Sequence, residues 1–186
     1  MLTVFISDIF GQSEALKSLA QAISDEFIII APYSGQSITF ANEQEAYHYF
    51  TKQIGLDDYA QQVKTQLAKI KQPINIIAFS VGGAALWLNA EQLKQSQVNQ
   101  VVCFYPSQIR HHLTIQPQVA MTLVLPICEK HFDIDEMAKR LAKTNLVTLE
   151  KSVYQHGFMN QLSNNFNLQG YKKYCHILQK TLAKNE

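Results

Sequence analysis

Cysteine is sparse and odd in number in this 186-residue chain, at Cys103, Cys128 and Cys175. No Cys-x-x-Cys spacing occurs, and each thiol is expected in apolar surroundings. That excludes a disulfide framework and a structural zinc site, and favours a reducing, cytoplasmic compartment. An excess of one charge is missing too. The formal net charge is +1, with Lys and Arg scattered rather than clustered. No electrostatic footprint for nucleic acid or an anionic membrane surface results. The longest mostly apolar run, residues 119–128, is broken by Thr122 and Pro126 and is too short to span a bilayer. The N-terminal Met1-Leu-Thr-Val-Phe-Ile-Ser carries no basic residue, and its apolar run is too short for a signal peptide. No repeat, low-complexity tract or linker is found. With 47% apolar residues the chain can bury a core, so one domain over residues 1–186 is expected.

What is present is a strand-then-helix rhythm. Short β-branched or aliphatic runs fall at residues 3–6, 27–30, 74–79, 98–104, 119–125 and 146–149, several apolar on consecutive positions as doubly buried strands require. Helix-period segments are predicted over residues 13–24, 57–70, 82–93, 135–142 and 168–183. In the long segment 32–55, residues 42–50 are expected to form a short helix over the site, with no room for a large lid domain. Alternating β and α elements imply a three-layer α/β/α fold around a mostly parallel sheet of about six strands. Chemistry in such folds collects beyond the C-terminal ends of the strands. Those ends carry Ser7-Asp8-Ile9-Phe10-Gly11, Ser80-Val81-Gly82-Gly83, Tyr105-Pro106-Ser107, Cys128-Glu129-Lys130-His131 and Gln155-His156-Gly157-Phe158.

The segment Ala78-Phe79-Ser80-Val81-Gly82-Gly83 lies between a strand and a helix, the context of a nucleophile elbow. Such a turn strains the serine backbone and requires small residues two before and two after it; here they are Ala78 and Gly82. Ser80 at a helix N-terminus meets N–H groups and a dipole that favour developing negative charge. The plain alternative is a serine in an ordinary helix-entry turn, since short Ser-x-Gly strings are common. His156 follows the last predicted strand, where a general base belongs in the chain order Ser…acid…His. The other histidines are read as bland: His48 in a long loop, His111 and His112 solvated, His176 on the last helix. No metal and no cofactor are expected.

The Ser7-Asp8-Ile9-Phe10-Gly11 segment, the elbow at Ser80 and the His156-Gly157-Phe158 ending together resemble the dienelactone hydrolase family of α/β-hydrolases, over nearly the whole chain except the family's usual N-terminal strands. The resemblance implies an α/β-hydrolase fold and an oxyanion hole from the N–H groups of Ile9 and Val81. Such donors contribute about 3 kcal/mol each. It also implies that Asp8, the residue before Ile9-Phe10-Gly11, stands where the family often has a glutamate touching the resting nucleophile, one methylene longer; Asp8 and Phe10 are expected as site neighbours. Serine in place of the cysteine of the name-giving enzymes turns the expectation toward general carboxylester hydrolysis.

The acid departs from the family pattern. In Pro126-Ile127-Cys128-Glu129-Lys130-His131-Phe132-Asp133 no aspartate falls at the family position, and alignment brings Lys130 or His131 there. Glu129 is favoured over Asp133, which also suits a helix cap. Tyr33, Tyr105, Phe132, Phe158 and Met159 are expected around a partly apolar pocket. Arg110 and Lys130 are cations able to pair with a substrate carboxylate, solvation being the plainer reading. The expected function is a serine hydrolase of a carboxylic ester, lactone or thioester. Its partner would be a small-molecule ester-type substrate, with no nucleic acid and no membrane, and a homodimer is allowed. A degenerate hydrolase fold with a binding role stands as the alternative. A flavodoxin-like nucleotide binder is disfavoured, since Asp8-Ile9-Phe10 replaces a phosphate loop.

Overall fold

The structure is a computed structural model, and it describes residues 1–33, 35–36 and 38–183. Six strands form one wholly parallel sheet: β1 (Leu2–Ile6), β2 (Phe27–Ile30), β3 (Ile74–Phe79), β4 (Val98–Phe104), β5 (Met121–Leu125) and β6 (Val147–Lys151), in the order β2-β1-β3-β4-β5-β6. The helices are α1 (Glu14–Ile23), α2 (Glu43–Gln53), α3 (Gly55–Lys69), α4 (Val81–Trp87), α5 (Ile134–Leu141) and α6 (Leu168–Ala183).

The period-2 geometry of the strands sorts their side chains between two cores. Phe5, Ile77, Phe79, Val102 and Phe104 point to the layer formed by α1 and α6. Val4, Ile6, Ile76, Ala78, Val101 and Leu123 point to the opposite layer of α2, α3, α4 and α5. Both faces of the central strands are therefore dry, which is why their sequences run apolar without alternation. The outer strands β2 and β6 keep partly exposed residues.

The predicted helix over 82–93 is shorter than expected. Asn89 is buried, and its amide donates to the carbonyls of Ala85 and Ala60, both at 2.9 Å. The backbone N–H groups of Asn89 and Ala90 turn to carbonyls three residues back, which tightens the helix end into turns. The helix expected over 42–50 runs from Glu43 to Gln53, its N-cap being Asn42, whose side chain accepts from the Glu45 N–H at 2.9 Å. Cys103 is buried, but Cys128 is exposed rather than set in apolar surroundings.

The order of strands decides where the site lies. The chain runs from β1 outward to β2, then returns to the other side of β1 as β3. The crevice at this reversal opens at the C-terminal ends of β1 and β3, between Asp8-Ile9 and Ser80.

Candidate active site

Ser80 follows β3 directly. Its N–H donates to Phe104 O at 2.9 Å, so the β3–β4 ladder continues one residue past the strand. The chain then reverses sharply: Ser80 has φ 49° and ψ −117°, a conformation that costs a non-glycine residue about 1–3 kcal/mol. The bend places the hydroxyl at the mouth of a cleft and starts α4 at Val81. The need for small residues has a definite source. A Cβ on Gly82 would sit 2.3 Å from the Ser7 carbonyl oxygen and 2.7 Å from that of Ile6. The elbow is pressed against the end of the neighbouring strand, and only glycine fits.

The loops bearing His156 and Glu129 are aligned in the same way. Beyond β5 and β6 the chains remain paired, Ser152 N–H donating to Leu125 O at 2.9 Å and Ile127 N–H to Tyr154 O at 2.7 Å. This pairing carries the two following turns forward side by side. Gly157 has φ +91°, and a Cβ there would lie 2.2 Å from Ser163 Oγ, so the loop closes behind His156 only with glycine. Asn165 fixes the His156 carbonyl from its side-chain amide at 2.9 Å.

The structure brings Ser80, His156 and Glu129 into one line. Ser80 Oγ lies 2.9 Å from His156 Nε2, and His156 Nδ1 lies 2.8 Å from Glu129 Oε1. Glu129 is largely shielded, with 14% of its side chain exposed. Burial pulls its carboxyl upward, yet the His156 and Ser107 hydrogen bonds and the nearby Arg110 charge outweigh that, leaving it below the ordinary glutamate range. An ionised carboxylate in this place can hold the imidazole proton on Nδ1, which leaves Nε2 free to accept from a hydroxyl.

Ile9 and Val81 both line the cleft with Ser80. Neither N–H has a partner among the described residues, and Val81 is the first residue of its helix, where N–H groups are free to bind an anion. The turn that carries Ile9 is held by the Tyr33 hydroxyl, which donates to the Ile9 carbonyl, in the following peptide unit, at 2.5 Å. Below it, the Tyr59 hydroxyl lies 3.0 Å from Ser7 O and 3.1 Å from Ile30 O, sharing its proton between the ends of β1 and β2.

Asp8 lines the cleft with Ser80, but its hydrogen bonds go elsewhere. Its carboxylate accepts from the Phe10 N–H at 3.0 Å and from the Asn160 side-chain amide at 2.6 Å, tying the Ile9 turn to the loop after His156. Burial raises the Asp8 carboxyl above its ordinary range against the lowering effect of those two donors. Phe10 and Tyr105 also line the cleft. Tyr105 is fully buried and packs its ring 4.8 Å from that of His156. The cleft has a volume of about 670 Å³. Glu43, Gln44 and Tyr47 of α2 form one wall, and Arg110, Lys130 and Phe132 belong to another. Arg110 donates to Ser107 O at 3.0 Å and stacks over Phe132 at 4.8 Å.

Several expected neighbours are elsewhere. Asp133 caps α5, accepting from the N–H groups of Asp135 and Glu136, and takes no part in the cleft. Phe158 is fully buried among Phe104, Tyr154 and Tyr174, Met159 lies in the same core, and Tyr33 packs beneath Gly11. These rings support the loops rather than line the pocket. Ser107, whose hydroxyl bonds Glu129 and lies 3.2 Å from His156 Nδ1, was not foreseen as a site residue. Its only sequence signal is its place at the end of β4. Among the described residues no group of three or more His, Cys, Asp or Glu is placed to hold a metal ion, and no helix is long and apolar enough to cross a membrane.

Comparison with solved structures gives the same architecture. A dienelactone hydrolase-like promiscuous phosphotriesterase from metagenomic libraries superposes with a TM-score of 0.64 at 14% identity, covering 96% of this chain and 85% of that one. An alpha-beta serine hydrolase homologue from Coxiella burnetii gives 0.65 at 13% identity, covering 97% and 85%. Alpha/beta hydrolase domain-containing protein 10 from mouse gives 0.65 at 9% identity, covering 100% and 90%. At these identities the likeness establishes the α/β-hydrolase fold. A search of curated protein sequences returned no significant match. The sequence model of the dienelactone hydrolase family matches residues 2–182, so the chain belongs to that family.

Proposed function

We propose that this protein is a serine hydrolase of small carboxylic esters, lactones or thioesters, acting through an acyl-enzyme on Ser80. The observation that carries the reading is the unbroken run from Ser80 Oγ to His156 Nε2 at 2.9 Å and from Nδ1 to Glu129 at 2.8 Å. His156 Nε2 takes the hydroxyl proton as Ser80 Oγ attacks the acyl carbon. The carbonyl oxygen gains negative charge toward the N–H groups of Ile9 and Val81. Collapse of the tetrahedral intermediate expels the alcohol or thiol, which takes the proton from His156. Water, deprotonated by the same imidazole, attacks the acyl-enzyme; Ser80 Oγ regains its proton and the acid is released. Glu129 stays ionised throughout and stabilises the imidazolium that forms in each half-reaction. The open cleft, with Phe10, Tyr47 and Phe132 among polar neighbours, suits a small substrate of mixed polarity.

The test is labelling by a fluorophosphonate probe together with hydrolysis of short aryl esters at neutral pH. Wild type is expected to react in both assays, and Ser80→Ala and His156→Ala in neither. A wild-type protein that takes up no probe and cleaves no ester or thioester would leave the fold with a binding role instead.

A further inference from the structure

We infer that Ser107 is a positioning residue that selects the productive tautomer of His156 and holds Glu129 in register with it. This rests on the hydrolase reading of the same site. Ser107 opens the 3-10 turn Ser107–His111 that follows β4, and it is buried. Its backbone is pinned at both ends: the N–H donates to Tyr105 O at 2.8 Å, and the carbonyl accepts from Arg110 at 3.0 Å. Tyr105 before it is held at φ +43°. The hydroxyl therefore projects from a fixed point.

That hydroxyl has three polar neighbours: Glu129 Oε1, Tyr105 O at 3.3 Å and His156 Nδ1 at 3.2 Å. The ionised carboxylate and the carbonyl can only accept, while the imidazole nitrogen can do either. The hydroxyl has one proton, and a carboxylate is the stronger acceptor. With the Ser107 proton directed to Glu129, an oxygen lone pair faces Nδ1. Glu129 Oε1 presents another, 2.8 Å from Nδ1. Two lone pairs converging on one nitrogen require it to carry hydrogen. Nε2 is then unprotonated where it meets Ser80 Oγ at 2.9 Å, the state in which it can accept the serine proton.

The same bond answers a weakness of the acid. Glu129 has one more rotatable bond than aspartate, and it sits in an irregular stretch between β5 and α5. Among the described residues its carboxylate is hydrogen-bonded to His156 and Ser107 and to nothing in its own turn. A hydroxyl from the end of the adjacent strand supplies the constraint that a longer side chain lacks.

The experiment compares Ser107→Ala and Ser107→Thr in the full chain by two readouts. Nitrogen NMR of ¹⁵N-histidine-labelled protein at alkaline pH reports the tautomer without any turnover. Wild type and Ser107→Thr are expected to show His156 protonated on Nδ1, and Ser107→Ala a mixture with the Nε2–H form. In ester hydrolysis Ser107→Ala is expected to lose about tenfold to a hundredfold in kcat with KM unchanged, the range for one hydrogen bond to a charged group. Ser107→Thr is expected to recover most of that loss. Ser107→Cys, a weak hydrogen-bonding group of similar size, replaces alanine in the comparison if alanine unsettles the turn. Unchanged tautomer and kcat in Ser107→Ala, or a threonine variant no better than alanine, would overturn the inference. A tautomer shift in Ser107→Ala, with wild type that neither takes up the fluorophosphonate nor cleaves an ester or thioester, would keep the inference and sink the hydrolase reading.

Discussion

Replacing Glu129 by glutamine keeps the shape of the side chain and removes its charge. In wild type the carboxylate oxygen lies 2.8 Å from His156 Nδ1, with 14% of the Glu129 side chain exposed. In the proposed mechanism the imidazole takes the serine proton, and opposite charges then face each other across this hydrogen bond. Charge is spread over both groups, so their centres are roughly 4 Å apart, and at an effective dielectric constant of about 20 such a pair is worth about 4 kcal/mol. The amide oxygen of glutamine retains part of that as a neutral hydrogen bond, so a loss of about 2–3 kcal/mol in transition-state stabilisation is expected. That corresponds to about thirty- to two-hundredfold in kcat. The loss falls short of the roughly 10⁴-fold of the serine-protease precedent, where neutralising the acid also puts the histidine in the wrong tautomer. Here Ser107 still presents a lone pair to Nδ1. The assay is steady-state hydrolysis of an aryl ester, with thermal unfolding of the same sample to show that the fold is intact. KM is expected to stay within about twofold, because Glu129 acts on the imidazole and not on bound substrate. A variant within threefold of wild-type kcat would refute the reasoning and remove Glu129 from the chemistry.

Further expectations follow from the supports of the site. Gly82→Ala drives a Cβ to 2.3 Å from the Ser7 carbonyl, and an overpacked contact of this kind costs about 1–3 kcal/mol. A melting-point drop of about 2–12 °C is expected by differential scanning fluorimetry, with activity falling further than stability because the Ile9 turn is displaced. Tyr59→Phe removes the shared hydrogen bond to Ser7 and Ile30 and is expected to cost about 1–2 kcal/mol in urea unfolding; no loss would mean that the two strand ends do not need it. Asp8 has its carboxyl raised by burial, so the folded state favours its protonated form. Its stabilising contribution is full below the ordinary aspartate value near about 3.9 and is lost as pH rises through the folded value. Urea unfolding between acid and neutral pH is therefore expected to show wild type losing stability relative to Asp8→Asn as pH rises; a constant gap would contradict the buried charge.

Much of this architecture can be read from residues whose burial is two-sided. The runs around Ile76, Val102 and Leu123 are apolar on successive positions because helices cover both faces, and strand identity follows from that. Ser80 and His156 are legible because the elbow and the chain order constrain them. Glu129 is harder to find: it lies in an irregular turn where several polar residues compete, and the sequence favours it over Asp133 only through its nearness to the strand end and the fitness of Asp133 as a helix cap, which is the place Asp133 takes on α5. Phe158 and Met159 are misread as pocket residues because a loop at a strand end is expected to be open, whereas this one turns its side chains back into the core under α6. Ser107 is marked only by its place after β4, and the Asp8–Asn160 link has no local signature at all. Asn160 is 152 positions from Asp8 along the chain, and their contact exists only because the sheet brings β1 and the loop after β6 to the same crevice.

The central claim is that Ser80 becomes covalently acylated with His156 as its base. Mixing the protein with an activated acetyl ester, quenching in acid and mapping the peptides by mass spectrometry tests it directly. An acetyl group on Ser80 in wild type, absent from His156→Ala, is the predicted result; protein that turns over the ester without modification at Ser80, or carries acetyl on lysines alone, would contradict it.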